Sequence, residues 1–569
     1  MKKRNKGSNR AKRRAYAETM ANSRILRNLP PHRKSKKENM RASEYKPLLF
    51  TTTVRNPERL KGLLHIFQKF DDRTLTDELA TEVVCETIKY GLYRPNNQTA
   101  SVKKKWESTP KGEFADYILS DSEVEWMKEN NPQNHKEAGF ARGYPSRFAT
   151  FFDFAKELGF VYFEPGKPIE FSEMGKRYAN IFSVEIGDAG EILATEEHPE
   201  YEQQAFLQAM SKYQRNNPFI RVLNDNVPLI LLLQTIKMLN SDPEFNGAGI
   251  SRKELPLIIF WKDNNADMLY HRIKRLRREH GYNPSDEVII DICVEEIMEG
   301  SMKKFKPDSI ISEYPDVFIR KMLLTVLISL RGAGCFLDIN HNEDKKVEYV
   351  LANYSDYPKF VTERSYFDYM AQIDENLFEI KSITVDAKRS EELLSNWLKI
   401  YAWDNIKAEL HILSTKSRTS KDKVLRFLPN PARLEFLTSL AIKAKLPHVR
   451  VIPNYPCDDE GLPTSTAGGV GDQGDIDCIE YQNGILIEVT MAEGRTQTMT
   501  EVWPISRHLE AFQRKYTSNS QCVFIAPSIF RDSERQIKYV NDTENLQIRP
   551  FKIDEFISYL ENSPQLYQA

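Results

Sequence analysis

The sequence is poor in the residues that build disulfide frameworks and zinc centres. Its 569 residues include six scattered cysteines that form no Cys-x-x-Cys pair, and its ten histidines do not cluster. Scattered cysteines are typical of reduced thiols in a cytoplasmic protein, and a zinc site requires clustered Cys and His ligands. These absences argue against a disulfide-stabilised secreted domain and against a zinc protein.

Long hydrophobic runs are also missing. A membrane-spanning helix needs about 18–20 consecutive apolar residues. The longest candidate, residues 227–234, is short and contains Pro228 and Gln234. The basic N-terminus lacks the apolar segment of a secretory signal, so we expect a cytoplasmic protein that does not interact with membranes.

Overall net charge is almost absent, at −1, but the charges are unevenly distributed. Residues 1–46 contain 16 Lys or Arg and three Asp or Glu, which makes the remaining chain acidic. A basic arm of this kind suits phosphate binding, although a solvated tail without a partner is equally compatible with it. The chain length predicts three to four domains.

Two segments share the pattern of an apolar helix followed by two short strands. The first helix begins at Tyr144 and leads into residues 160–171. The second begins at Tyr314, runs to near Gly332 and leads into a strand, a polar turn and a strand over residues 334–350. A helix followed by a small β-wing is typical of winged-helix DNA-binding domains, whereas generic α+β packing is the alternative. The candidate DNA contacts on these helices are Arg147, Arg320 and Lys321.

Carboxylates interrupt two apolar strands near the C-terminus. Asp475 and Asp477 begin an alternating run, and Glu488 interrupts the following apolar run. Asn483-Gly484 predicts a hairpin turn that brings the aspartates near Glu488 on one face. Carboxylates on one face repel each other unless a cation lies between them, and oxygen ligands select a hard cation such as Mg²⁺. The alternative is an exposed Glu488 paired with Lys or Arg.

The hairpin pattern leaves the choice between the two aspartates open. A strict two-residue turn at Asn483-Gly484 would pair Ile479 directly with Glu488. Asp477 would then lie diagonal to Glu488 and closer to it than Asp475. A bulge or a longer loop would change that arrangement.

The order and spacing of the C-terminal motif resemble the AlwI family of type IIS restriction endonucleases, which have a PD-(D/E)xK nuclease core. The matching residues are Gln473-x-Asp475, Glu488-Val489-Thr490, Gly494-x-Thr496-Gln497 and Glu501-x-x-Pro504-x-x-Arg507-His508. Residues 47–59 also resemble the opening segment of the family, so the resemblance extends over nearly the whole chain beyond the basic tail.

The resemblance implies a multidomain α+β protein whose winged-helix recognition half is joined by a helical linker to a C-terminal α/β nuclease domain. The implied divisions are a basic tail (1–45), recognition subdomains 1 (46–220) and 2 (221–355), a helical linker (356–428) and a nuclease domain (429–569).

The resemblance also implies the roles of individual residues. Asp475, Glu488 and Val489 would bind Mg²⁺. The implied catalytic set is Glu435, Asp475, Glu488, Glu501 and His508, and Arg507 would contact the scissile phosphate. The wider nuclease class has a lysine where this chain has Thr490, a change that the AlwI relatives share.

The function implied is Mg²⁺-dependent cleavage of double-stranded DNA a few base pairs from a short asymmetric site. One metal site cuts one strand. Cleavage of both strands would therefore need a transient homodimer or a second catalytic subunit, and a cognate DNA methyltransferase of a bacterial restriction-modification system is a further expected partner. The alternatives are a non-catalytic winged-helix regulator and a DNA-repair nuclease on the same core. The four acids Glu435, Asp475, Glu488 and Glu501 together argue against the regulator.

Overall fold

The computed structural model describes residues 57–137, 139–219, 224–245, 247, 249–300, 305–468, 473–517 and 519–568. The predicted basic tail and the predicted strand before Pro57 lie outside these residues. The described residues belong to one compact unit of mixed α and β structure, and the division of residues 46–569 into four parts stays a prediction. None of the helices in the described ranges is long and apolar enough to cross a lipid bilayer.

The N-terminal half is mainly helical, with three small antiparallel β-units. Its helices are α1 (Glu58–Gln68), α2 (Asp77–Lys89), α3 (Ala100–Lys105), α4 (Asp121–Asn130), α5 (Tyr144–Glu157), α6 (Glu173–Ala179), α7 (Glu200–Lys212), α8 (Pro228–Asn240), α9 (Leu255–Phe260), α10 (Ala266–His280), α11 (Asp286–Asp291), two π-helical segments (Ile292–Ile297 and Ser309–Glu313), α12 (Tyr314–Leu323), a 3₁₀ turn (His341–Glu343) and α13 (Asp344–Tyr354). Its strands are β1 (Val161–Tyr162), β2 (Glu170–Phe171), β3 (Phe182–Ile186), β4 (Ile192–Glu196), β5 (Ile250–Ser251), β6 (Ile328–Arg331) and β7 (Phe336–Ile339). Strands β1–β2 and β3–β4 form hairpins, and the third unit has the order β5-β7-β6.

The C-terminal part is a mixed sheet covered by helices on both faces. The segment that leads to it contains α14 (Glu363–Ala371), α15 (Glu375–Glu379), α16 (Ala387–Trp397), α17 (Trp403–Ser414) and a 3₁₀ turn (Leu425–Phe427). The sheet region contains α18 (Asn430–Lys445), β8 (Arg450–Pro453), β9 (Ile476–Glu480), β10 (Asn483–Val489), α19 (Gly494–Thr500), α20 (Val502–Lys515), β11 (Gln521–Ala526), α21 (Arg531–Glu544), β12 (Ile548–Lys552) and α22 (Ile553–Asn562).

The C-terminal sheet has the strand order β12-β11-β10-β9-β8. Strand β11 runs parallel to β10 and β12, whereas β9 is antiparallel to both β8 and β10. Apolar residues of α20 and α21 pack on the face that contains Leu486, and those of α18 and α22 belong to the core on the face of Ile485 and Ile487. The alternation follows from the two-residue period of a strand, and it buries β10 on both faces.

Proline lies in the first turn of three helices, and the sequence predicts the first two of them. Pro145, Pro315 and Pro431 lie at the starts of α5, α12 and α18. Proline is tolerated there because its missing N–H would have no intrahelical partner and its fixed φ suits a helix. The starts of α5 and α12 agree with the prediction.

The two helix-and-wing segments differ in outcome. In the first, α5 leads into the small β1–β2 hairpin, as the pattern predicts, and the assignment to a winged helix stays a prediction. In the second, α12 ends at Leu323 rather than near Gly332, and the hairpin is formed by β6 and β7. The predicted final strand at residues 347–350 is wrong because these residues lie in α13, where Val347 and Val350 are both buried. The apolar spacing of three residues fits one helical face better than a strand.

Candidate active site

The hairpin β9–β10 brings Asp475, rather than Asp477, opposite Glu488. Asn483 pairs with Glu480 and Ile487 with Ile476, and this register places Asp475 opposite Glu488 one residue further on. The turn therefore consists of residues 481–482, and the prediction of a turn at Asn483-Gly484 is wrong.

Close packing explains why a glycine lies inside the strand. A Cβ atom at Gly484 would lie 2.6 Å from Ser520 Oγ and 2.7 Å from Phe512 Cε1. Tyr481 instead adopts the positive φ of 57° that the turn requires. The Asn-Gly pair thus serves helix packing against the sheet rather than chain reversal.

Asp475 and Glu488 form the centre of the candidate site. Their carboxyl groups lie close enough to hydrogen-bond each other. The Val489 N–H donates to Asp475 Oδ2 at 2.7 Å. Burial, first, and the neighbouring Glu488 carboxylate, second, raise the pKa of Asp475 well above its ordinary value. Burial and the Glu501 charge likewise raise the pKa of Glu488. Two carboxyl groups in such contact need a shared proton or a cation between them at neutral pH.

Glu435 approaches the same pair from helix α18. It is 3% exposed, and its Oε2 accepts a hydrogen bond of 3.0 Å from the Ala467 N–H. Burial and the Asp475 charge raise the pKa of Glu435 well above its ordinary value, and Glu488 adds to this effect. The Glu435 carboxyl group therefore lies close enough to Asp475 and Glu488 for their charges to raise its pKa, so the structure brings together these three acids of the predicted set.

Glu501 and His508 complete the site from the start and middle of α20. Thr490 Oγ1 donates to Glu501 Oε1 at 3.0 Å, and His508 Nδ1 lies 2.9 Å from Glu488 Oε1. Burial raises the pKa of Glu501, while hydrogen bonds from Thr490 and Thr500 oppose that shift. Thr490 therefore orients an acid and supplies no positive charge to the site.

Asp477 lies on the same face but has different partners. Its Oδ2 accepts from Lys515 Nζ at 2.8 Å and from Tyr516 Oη at 3.0 Å, and its Oδ1 accepts from Asn454 Nδ2 at 2.9 Å. These donors satisfy both oxygens of Asp477, which leaves Asp475 as the aspartate that faces Glu488.

Sequence reasoning missed the groups that hold the acids. Asn454, Ala467 and Thr490 donate to carboxylates or to the backbone around them. A glycine directly before Asp475 was a readable signal, because a Cβ at Gly474 would collide with the Glu488 carboxylate. No sequence feature identifies Asn454 or Ala467.

The predicted DNA contacts occupy very different environments. Arg507 is exposed on α20. Arg147 is half-buried, donates to Gln133 and lies over the Tyr93 ring. The remaining two predicted contacts are Arg320, which bonds to Asp316 and the Arg426 carbonyl, and Lys321, which is 0% exposed and lies over the Phe154 ring. A buried ammonium cannot reach a phosphate without rearrangement, so Lys321 is not presented to DNA in this conformation. The contacts of all four residues with DNA stay predictions.

The donor set of the site fits a hard divalent cation. The three converging acids offer oxygen atoms only, and Asp475 and Glu488 are in direct contact, an arrangement that a bound cation would relieve. Across the described ranges, no group of three or more His, Cys, Asp or Glu side chains is preassembled as a ligand shell. In this conformation, the Val489 N–H, the His508 ring and the Ala467 N–H occupy one oxygen of Asp475, Glu488 and Glu435, respectively.

Comparison with known proteins places the chain in a family. The model of the AlwI restriction endonuclease family matches residues 156–426 and 402–559, which together span well over half of the chain. No curated protein matches the chain in sequence. Among solved structures, the small subunit of the heterodimeric restriction endonuclease R.BspD6I is 22% identical and covers 28% of this chain and 81% of its own, with a TM-score of 0.23. Restriction endonuclease FokI bound to DNA is 12% identical and covers 89% of this chain and 95% of its own, also with a TM-score of 0.23. TM-scores this low do not establish a common fold, whereas the family match extends over most of the sequence. The chain belongs to the AlwI restriction endonuclease family.

Proposed function

We propose that this protein is a Mg²⁺-dependent type IIS endonuclease that cleaves double-stranded DNA a few base pairs from a short asymmetric recognition sequence. Membership of the family makes the chain a restriction endonuclease, and thus a nuclease that binds DNA. The Mg²⁺ dependence is supported chiefly by one observation, namely that the register of the β9–β10 hairpin places Asp475 opposite Glu488, beside the buried Glu435.

Asp475, Glu488 and the Val489 backbone would hold the cation, with Glu435 as a further oxygen ligand. When bound, Mg²⁺ polarises the scissile phosphodiester and makes water a better nucleophile at neutral pH. His508 orients Glu488, and the Val489 N–H orients Asp475. Glu501, which Thr490 and Thr500 hold by hydrogen bonds, would accept a proton from the attacking water. Arg507 is the exposed cation beside His508 that would contact the phosphate.

The N-terminal half would read the DNA sequence. Helices α5 and α12 are each followed by a hairpin, as in winged-helix domains, in which one helix enters the major groove. The basic tail would add contacts to phosphate that carry no sequence information.

A PD-(D/E)xK core would account for the mixed sheet with Asp475 and Glu488 on neighbouring strands. A transient homodimer or a separate subunit would supply the second active site for double-strand cleavage, and a methyltransferase would protect the host sites.

The test is conversion of supercoiled plasmid by the wild type and by Glu488→Gln, with Mg²⁺ or with EDTA, followed by sequencing of the product ends. We expect discrete Mg²⁺-dependent ends at a fixed distance from one short motif, and none with the variant. An open circle as end product identifies a nicking enzyme or one that lacks its second subunit, and a linear product identifies double-strand cleavage. Sequence-specific binding without any Mg²⁺-dependent product would contradict the proposal and favour a non-catalytic DNA-binding protein.

A further inference from the structure

Asp477 is a buried carboxylate of strand β9 that the proposed chemistry does not use. It is 2% exposed and pairs with Leu486 across the hairpin, so it shares the face of Asp475 and Glu488. A buried carboxylate is costly unless it is paired and hydrogen-bonded. Here three donors from separate elements converge on it: Asn454 after β8, Lys515 at the end of α20, and Tyr516 directly after it.

Asn454 connects Asp477 to the backbone of the candidate metal ligand. The Asn454 amide Nδ2 donates both to Asp477 Oδ1 at 2.9 Å and to the Gly474 carbonyl at 2.7 Å. The Asn454 backbone N–H donates to the Asp475 carbonyl at 2.9 Å. Asp477 therefore fixes the direction in which the side-chain amide points, and this amide holds the Gly474 carbonyl. The backbone of the same residue holds the Asp475 carbonyl, so Asn454 restrains both residues.

The backbone at Gly474 in turn limits the space available to the Glu488 side chain. The Glu488 carboxylate occupies the space in which a side chain at residue 474 would begin. A shift of the chain at Gly474 would therefore move Asp475 directly and change the space available to Glu488.

Lys515 and Tyr516 connect Asp477 to the helix that carries the other site residues. Helix α20 begins after Glu501 and contains His508, which contacts Glu488, and it ends at Lys515. The ion pair of Lys515 with Asp477 thus ties the end of this helix to the strand that follows Asp475.

From these contacts we infer that Asp477 is a positioning residue, which sets the separation of the Asp475 and Glu488 carboxylates required for binding a divalent cation. The inference rests on the proposed function and deepens it, because it assigns to Asp477 the hydrogen-bonded support of the ligands rather than a ligand role. Mutation of a group that supports a metal ligand in this way usually lowers metal affinity or activity roughly 10- to 100-fold.

The test compares Asp477→Asn with Glu480→Gln in the full-length chain. Asn keeps the shape of Asp477 but turns one acceptor into an NH₂ donor, so either Asn454 or Lys515 must lose its partner. Glu480 is the matched control, because it is a buried carboxylate of the same strand, on the other face, bonded to His448 and to the Leu566 and Tyr567 N–H groups. Both substitutions replace a buried carboxylate with an amide. Only Asp477→Asn changes a hydrogen-bond partner of Asn454, whose side chain holds the Gly474 carbonyl.

Binding of Ca²⁺ is measured by isothermal titration calorimetry, since Ca²⁺ takes the same oxygen ligands as Mg²⁺. Loss of the signal in Glu488→Gln identifies the binding event with this site. We expect Asp477→Asn to weaken Ca²⁺ binding and to lower kcat for DNA cleavage, each roughly 10- to 100-fold, with an unchanged KM for DNA. Glu480→Gln should leave all three quantities unchanged.

Lys515 provides the second series, in case Asp477→Asn does not fold. Lys515→Met should weaken Ca²⁺ binding in the same direction, and Lys515→Arg, which keeps the charge, should restore it. A wild type that neither binds Ca²⁺ at this site nor cleaves DNA with Mg²⁺ contradicts the proposed function, and the inference with it. A functional wild type whose Asp477→Asn and Lys515→Met variants bind Ca²⁺ like Glu480→Gln overturns the inference alone.

Discussion

At the scale of single residues, Thr490 contributes to the candidate site through hydrogen bonds and not through charge. Its hydroxyl donates to Glu501 Oε1 and accepts from the Ala492 N–H, so it joins the candidate site to the start of the following loop. A lysine there would supply charge, whereas threonine supplies orientation. The charges of the candidate site are then those of the acids and of the cation that they would bind.

Thr490→Val is expected to lower kcat about 10- to 100-fold with little change in the KM for DNA, because it removes a hydrogen bond that orients Glu501 while keeping the side-chain volume. The measurement is single-turnover cleavage of a plasmid that contains the recognition sequence. Thr500→Val, which removes the longer 3.2 Å hydrogen bond to the same oxygen, is the matched control and should have the smaller effect. Equal rates for Thr490→Val and the wild type would show that Glu501 needs no such support.

At the scale of elements, the hairpin β9–β10 determines which acids meet. The register places Asp475 opposite Glu488 because the chain reverses at residues 481–482. Gly484 permits this register, since the Phe512 ring of α20 lies where a larger residue would place its side chain. The packing of one helix on the sheet therefore fixes the geometry of the carboxylates.

Gly484→Ala is expected to destabilise the protein by about 1–3 kcal/mol, the usual cost of an extra methyl group in a packed interior. Urea unfolding measures the change. Gln482→Ala, at an exposed position of the same turn, should stay within about 0.5 kcal/mol of the wild type. A neutral effect of Gly484→Ala would mean that Phe512 can move away at no cost.

At the scale of the whole molecule, the loop between β8 and β9 contacts the small sheet of the N-terminal half. Arg331 of β6 donates to Asp459 Oδ2 at 2.5 Å and also bonds to Glu460. The preceding Asp458 is 4% exposed, and burial, opposed by the Leu462 N–H and reinforced by Asp459, raises the pKa of Asp458 to about 7. This contact links the second helix-and-hairpin segment to the loop that leads into Asp475.

The raised pKa of Asp458 predicts a stability change with pH of definite sign. The folded chain keeps a proton on Asp458 that the unfolded chain releases near pH 4, so this group stabilises the fold most at low pH. Its contribution falls as pH rises from about 4 to about 7, by at most about 4 kcal/mol at 1.36 kcal/mol per pKa unit, and is constant above that range.

Asp458→Asn should therefore flatten the dependence of the free energy of unfolding on pH between pH 5 and pH 7. Urea unfolding at several pH values measures the slope. Asp404→Asn, an exposed acid of α17, controls for the loss of one charge. Identical slopes for Asp458→Asn and the wild type would contradict the assignment.

The sequence by itself determined the family, the starts of α5 and α12, and the set of acids from which the candidate site is built. Each depends on local signals, namely a proline in a first turn or a motif of fixed order and spacing. The family spacing favoured Asp475 over Asp477, but only the tertiary structure placed Asp475 opposite Glu488 and showed that Lys321 lies inside the protein. The two-residue period of a strand predicts which face a side chain lies on, but the register depends on where the turn closes. Here the position of the turn depends on the close approach of Gly484 to Phe512, a contact between segments that are distant in sequence. Asp477 and its partner Lys515 are likewise 38 residues apart, so no local pattern could show that this carboxylate forms an ion pair with a lysine.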